Sequence, residues 1–163
     1  MKNNNSIIIS SDHNGLKLKK KIQKVFSANY NFIDLGPHSS DKVDYSDYAS
    51  QLARIISQNQ AKYGVLVCGT GIGMSITANK FNNVRAAHVH NSLSAINSKV
   101  HNNSNIICLG SWINKDEINL KLLKDWLNTK FGMGRHVKRV EKIEPKKNQK
   151  KLIFTNGVFD ILH

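Results

Sequence analysis

Cys68 stands directly before Gly69, Thr70, Gly71, Ile72 and Gly73, a thiol followed by three glycines at alternate positions. Glycine-rich backbone can turn bare N–H groups toward an anion, through close approach and positive φ. A thiol beside such amides is a candidate proton acceptor or nucleophile. Each feature also has a plainer reading, the loop as a tight turn that packs a strand on a helix and the cysteine as a small buried hydrophobe. The dinucleotide fingerprint G-x-G-x-x-G fails because position 74 is Met74, and the phosphate loop G-x-x-x-x-G-K-[ST] fails at the same place. Further groups that transfer protons or hold anions are Asp12 with His13, His101 with Asn102, and Arg135 with Arg139. Asp12 serves equally well as a helix cap. Two guanidinium groups from one short stretch make either a phosphate fork or a solvated tail. Cys108 sits within an apolar run and fits a buried role. With no CxxC spacing between Cys68 and Cys108, neither a disulfide scaffold nor a zinc site is indicated.

Such groups need elements to hold them. Short apolar runs at 7–11, 32–35, 64–68, 84–89 and 106–109 read as strands. Segments of helical period lie near 15–28, 45–59, 73–80, 92–100 and 115–130, the first with Leu16, Leu18, Ile22, Val25 and Phe26, the last with Ile118, Leu122, Leu123, Trp126 and Leu127 on one face. Strand and helix in alternation predict a three-layer α/β/α sandwich around a Rossmann-like, five-stranded parallel sheet. In such folds ligands lie beyond the carboxyl ends of the strands. Asp12 and His13, the loop at 36–45, the 68–73 run, the stretch 88–91 and Gly110, Ser111 and Trp112 all fall there.

Composition bounds the answer from outside. The 163 residues carry 24 Lys and Arg against 11 Asp and Glu, a formal charge of +13, with 40% hydrophobic and 21% charged residues. That is one ordinary domain's worth of chain, able to bury a core, and not a disordered, collagenous or coiled-coil composition. The charge suits a nucleic-acid partner or a small phosphorylated substrate equally. Part of it is expected on a solvated helix face, with Lys17, Lys19, Lys20, Lys21 and Lys24; the stretch 138–151 holds seven basic and two acidic residues, a net +5. No aromatic residues interleave with the basic ones in the manner of single-strand binders. The apolar run at the start is too short for a signal peptide or a membrane span, so the cytosol is the expected compartment, without membrane association.

Taken in order, SDHNG at 11–15, DYSDYA at 44–49, CGTGIG at 68–73, ANKF at 78–81, VRA at 84–86, HNNSN at 101–105, LGS at 109–111, GRH at 134–136 and RV at 139–140 resemble the ribose-5-phosphate isomerase B family, which includes galactose-6-phosphate isomerase subunits. The resemblance runs from about Ser6 to Glu144. It implies a homodimer or a dimer of dimers, active sites built from both subunits, and no metal or organic cofactor. It also implies interconversion of ribose 5-phosphate and ribulose 5-phosphate through an anionic enediolate. In this likeness Cys68 is the base. The backbone from Gly69 through Thr70, Gly71 and Ile72 to Gly73 stabilises the oxyanion, and Thr70 adds a hydroxyl. His101 is the acid in ring opening, with Asn102 beside it orienting substrate oxygens. Asp12 contacts the reacting end or a ring hydroxyl, His13, Arg135 and Arg139 grip the phosphate, and Tyr45 lines the pocket. Relatives without the cysteine use a glutamate just after the third loop glycine. Met74 there cannot act as a base, which favours Cys68. His88 and His90 receive no role.

One departure bears on the substrate: after Leu109, Gly110 and Ser111 the family usually has an arginine, and this chain has Trp112. Another phosphosugar, a hexose phosphate or a precursor of a nucleotide-activated sugar, is therefore the alternative substrate. A non-catalytic basic binding module, recognised by steeply salt-dependent nucleic-acid binding, is the alternative in a different class. The isomerase domain is expected over 1–145, followed by a basic linker at 146–151. Residues 152–163 read LIFTNGVFDILH and resemble the first strand and turn of cytidylyltransferase-like nucleotidyltransferases, truncated before their second histidine.

Overall fold

Apolar runs and helical periods resolve into β1 (Ser6–Ser11), α1 (Leu16–Phe26), β2 (Asn31–Asp34), α2 (Tyr45–Ser57), β3 (Gly64–Cys68), α3 (Ile72–Ala78), β4 (Ala86–His88), α4 (Ser92–Val100), β5 (Ile106–Gly110), α5 (Asp116–Asn128) and α6 (Arg135–Glu141) in a computed structural model. It describes residues 6–144; the expected boundary at 145, the linker at 146–151 and the nucleotidyltransferase-like stretch at 152–163 lie outside the described residues. The five strands form one parallel sheet in the order β2-β1-β3-β5-β4. Every residue of β3 and β5 is buried, as strands covered on both faces must be. One face meets α1, α4 and α5 through Ile22, Ala95 and Leu122; the other meets α2 and α3 through Leu52 and Met74. The α/β sandwich expected from the alternation is therefore present.

The chain runs from β1 outward to β2 and then returns past β1 to β3, so the order of strands reverses between β1 and β3. A crevice opens at such a switch point, beyond the carboxyl ends of the two strands. It brings Asp12 beside the end of β3, where Asp12 N–H donates to the Val67 carbonyl at 3.1 Å.

Four local expectations need correction. The fourth strand covers only Ala86–His88, not 84–89, because side chains take over the flanking backbone groups: Arg85 N–H donates to Asn105 Oδ1 at 2.8 Å and Ala86 N–H to Asn79 Oδ1 at 2.9 Å. The arginine fork at 135–139 is a helix, α6, which a seven-residue span without an apolar period does not announce. Lys19 is not on a solvated face: three residues from both Leu16 and Ile22, it falls on the apolar stripe of α1 and is 0% exposed. Val25 and Ile118, expected on apolar faces, are 52% and 44% exposed; in α5 the inward place next to Ile118 belongs to Asn119, whose Nδ2 donates to the Gly110 carbonyl at 3.1 Å.

Candidate active site

Cys68 ends β3 and is almost wholly buried. Its Sγ accepts a hydrogen bond from Gly71 N–H at 3.0 Å, so the sulfur is held inside the first turn of the glycine loop. Gly71 has φ +79°, a left-handed conformation that only glycine adopts without strain, and this lets its N–H point back at the thiol. Thr70 Oγ1 accepts from Ile72 N–H at 3.3 Å. Two of the amides expected to serve an oxyanion thus have partners inside the loop. The other thiol differs. Burial, with the Cys68 sulfur nearby, pushes Cys108 far up, against a hydrogen bond with Ser75, and fixes it as an inert thiol.

The same loop explains why its glycines alternate. A Cβ on Gly69 would lie 2.7 Å from Trp112 Cε3, one on Gly71 would lie 2.8 Å from His88 Cδ2, and one on Gly73 would lie 2.6 Å from Tyr45 Cε2. Three rings therefore abut the three glycines. Tyr45 opens α2 and is half exposed beside Gly73. His88 was given no role from sequence. It packs under the loop, and its Nε2 is buried without a hydrogen-bond partner.

From the end of β1, Asp12 Oδ1 accepts from Gly15 N–H at 2.8 Å, so the carboxylate does act as a turn cap, with one oxygen engaged. His13 Nδ1 accepts from Val43 N–H at 3.3 Å, and its Nε2 lies 3.2 Å from Asn14 Nδ2, so both ring nitrogens are engaged within the turn. Ser111, just after β5, was quoted only as part of a motif. It joins the two halves of the crevice: its N–H donates to the Cys68 carbonyl at 2.9 Å, and its Oγ donates to the Asn14 carbonyl at 3.1 Å. Asp12, His13, Tyr45, Cys68 and the loop from Gly69 to Gly73 thus share one end of the sheet.

The remaining candidates are elsewhere. Helix α4 runs antiparallel to the strands, and its nine residues span about 14 Å, so His101 at its C-cap lies at the opposite end of the sheet from Cys68. Asn102 follows it there. Helix α6 joins them: Gly132 N–H donates to the Val100 carbonyl at 2.9 Å, and the His136 ring stacks on His101 with centroids 4.5 Å apart and planes 15° from parallel. Arg135 and Arg139 are exposed on that helix. Burial lowers the His136 pKa, and the neighbouring His101, Arg135 and Arg139 push it the same way, so its ring is held neutral under an exposed histidine and two guanidinium groups. Its part in this cluster was missed from sequence, since the stack joins residues 35 positions apart. One chain therefore presents two groups of candidate residues at opposite poles, a thiol with a glycine loop and a histidine with two arginines. Among the described residues, no group of three or more His, Cys, Asp or Glu side chains is placed to hold a metal ion. No helix among them is long and apolar enough to cross a membrane.

Comparisons with known proteins identify the fold and the family. The ribose/galactose isomerase family matches residues 7–143. A ribose-5-P isomerase B of Listeria innocua is 36% identical over 139 residues, covering 85% of this chain and 94% of that protein. The solved structure of ribose-5-phosphate isomerase B from Clostridium thermocellum superimposes with a TM-score of 0.82 at 39% identity, covering 85% of this chain and 94% of that one. That of the Mycoplasma genitalium enzyme, solved with bound ribulose-5-phosphate, gives 0.81 at 40% identity, covering 85% and 93%.

Proposed function

As a member of the ribose/galactose isomerase family this chain is an aldose–ketose isomerase, and on that premise we propose that it interconverts ribose 5-phosphate and ribulose 5-phosphate through an enediolate, without metal or organic cofactor, in the cytosol. The observation that carries the reading is the Cys68 sulfur, held by Gly71 N–H at the mouth of the switch-point crevice. There it takes the proton from the carbon next to the carbonyl and returns it to the neighbouring carbon. Charge develops on the oxygens of the enediolate. Thr70 and the loop from Gly69 to Gly73 stand around the position of that charge, with the Gly71 and Ile72 amides exchanging their internal partners for substrate oxygen. Asp12 keeps Oδ1 on Gly15 and offers its second oxygen to a substrate hydroxyl, while Tyr45 lines the wall.

The opposite pole supplies the rest. His101 donates the proton that opens the sugar ring, Asn102 orients its oxygens, and Arg135 and Arg139, with His13, hold the phosphate. Because the two groups lie at opposite ends of one sheet, His101, Asn102, Arg135 and Arg139 come from a second copy, in a homodimer or a pair of dimers with shared active sites, while His13 belongs to the Cys68 pole. The net basic charge then serves a phosphosugar rather than a nucleic acid.

The test is isomerisation of ribose 5-phosphate by the intact protein, with and without chelator, beside Cys68→Ala. The variant should fold normally and lose at least about a thousandfold in kcat, with activity of the parent unaffected by chelation. Full activity in Cys68→Ala removes the thiol as base. Loss on chelation contradicts the cofactor-free reading.

A further inference from the structure

Trp112 is 68% exposed, an unusual place for the largest apolar side chain, and it stands at the site rather than away from it. The Trp112 backbone N–H donates to the Gly69 carbonyl at 2.8 Å, and the six-membered ring of its indole lies so close over Gly69 that any Cβ there would meet three of its carbons within 2.8 Å. Gly69 follows the Cys68 thiol. Ser111, the residue before Trp112, is tied to both Cys68 and Asn14, so the indole is fixed between the thiol loop and the His13 turn. Across the loop the Tyr45 ring flanks Gly73. A loop of polar backbone is thus walled by an apolar ring on either side. An indole carries no charge to meet a phosphate, and its faces suit C–H groups.

We propose that Trp112 is a specificity-determining residue: its indole covers the carbon chain of the phosphosugar between the reacting carbons and the phosphate, and selects among phosphosugars by chain length and hydroxyl configuration. The proposal rests on the isomerase reading above. It places the carbon backbone of the substrate against the ring and leaves the phosphate to His13 and the arginines of the opposite pole.

The chain has two tryptophans, and the second, Trp126, is 0% exposed, so solvent-accessible emission reports Trp112. Iodide should quench that emission in the free protein, and saturating ribose 5-phosphate should shield it in the Cys68→Ala background; Trp112→Phe should lose the accessible signal. In kinetics on five- and six-carbon aldose phosphates, Trp112→Ala should lower kcat/KM for the preferred sugar roughly tenfold, chiefly through KM, and change the ratio between sugars. Trp112→Phe should keep most of both. Turnover with no response from Trp112, an unchanged ratio in Trp112→Ala, or emission that iodide cannot reach because a second copy covers the ring would overturn the proposal. Ligand shielding of Trp112 without turnover in the parent protein would sink the isomerase reading while keeping the indole as a wall of the ligand site.

Discussion

Lys99 projects from α4 into the core with 2% of its surface exposed, and its Nζ lies 3.6 Å from the Tyr63 ring centroid and 3.8 Å from that of Trp126. Burial pulls its pKa from 10.5 down to about 7, with Lys62 and Arg85 adding repulsion, while the two aromatic faces favour the cation and offset part of that cost. A folded-state pKa below the unfolded value means the unfolded chain binds the proton more tightly, so stability rises with pH between about 7 and 10.5 and the penalty is complete below 7. Lys99→Met should therefore unfold at higher urea than the parent at pH 6, by on the order of 2 kcal/mol, and the advantage should shrink as the pH approaches 10. A constant difference across that range would show that the ammonium carries no burial penalty. At this scale Cys68 was legible in the sequence, because a strand followed by alternating glycines fixes its position. The inward turn of Lys99 was not, since its aromatic partners come from residues 63 and 126, distant in the chain.

Helix α1 and strand β2 are joined by Lys19, whose Nζ donates to Asp34 Oδ1 at 2.6 Å and to the Pro37 carbonyl at 2.7 Å. Burial of Asp34 raises its pKa, but Lys19, the Gly36 N–H and Gln23 outweigh it and hold the carboxyl below its usual range; burial lowers Lys19 despite Asp34. The stability that Asp34 contributes is present above the ordinary carboxylate range and is lost as the pH falls below it. Asp34→Asn strands a buried ammonium and should destabilise the fold by about 3 kcal/mol in urea titrations at pH 7, whereas pairing it with Lys19→Met should recover most of the loss. Non-recovery in the double variant would place the effect elsewhere. Periodicity marked α1, α2 and α5 because each buries an apolar stripe, while α3 and α4 bury little and were found from their place between strands. It misassigned Lys19 because a charged residue at an inward position breaks the pattern, and it passed over α6 because the only residue that helix buries is a histidine, His136. The start of β4 was placed too early because the side chains of Asn105 and Asn79 take the N–H groups of Arg85 and Ala86.

Across the whole molecule, the distance between Cys68 and His101, at opposite ends of one sheet, makes a demand on assembly if both act on one substrate. If Cys68 of one chain works with His101 of another, subunits carrying Cys68→Ala and subunits carrying His101→Ala are each inactive alone. Co-refolded in equal amounts, they should form mixed dimers with one intact site, restoring activity to about a quarter of the parent, half of the dimers being mixed and each having one of two sites. No recovery in a mixture shown to contain mixed dimers would return both residues to one chain. The pole holding Asp12, Cys68 and the glycine loop could be read from sequence, since strand ends at a switch point gather there by rule. The meeting of His101 with His136, and of three rings with three glycines, could not, because those contacts exist only after the helices have packed. The strand order has another consequence. Among the described residues, strand β4 pairs only with β5, which lies between it and β3. During synthesis β4 leaves the ribosome with no neighbour to join and must wait for residues 106–110, so the half of the sheet beyond β3 is assembled in a single late event. A nascent chain arrested before that point should remain open to proteases along its last strand.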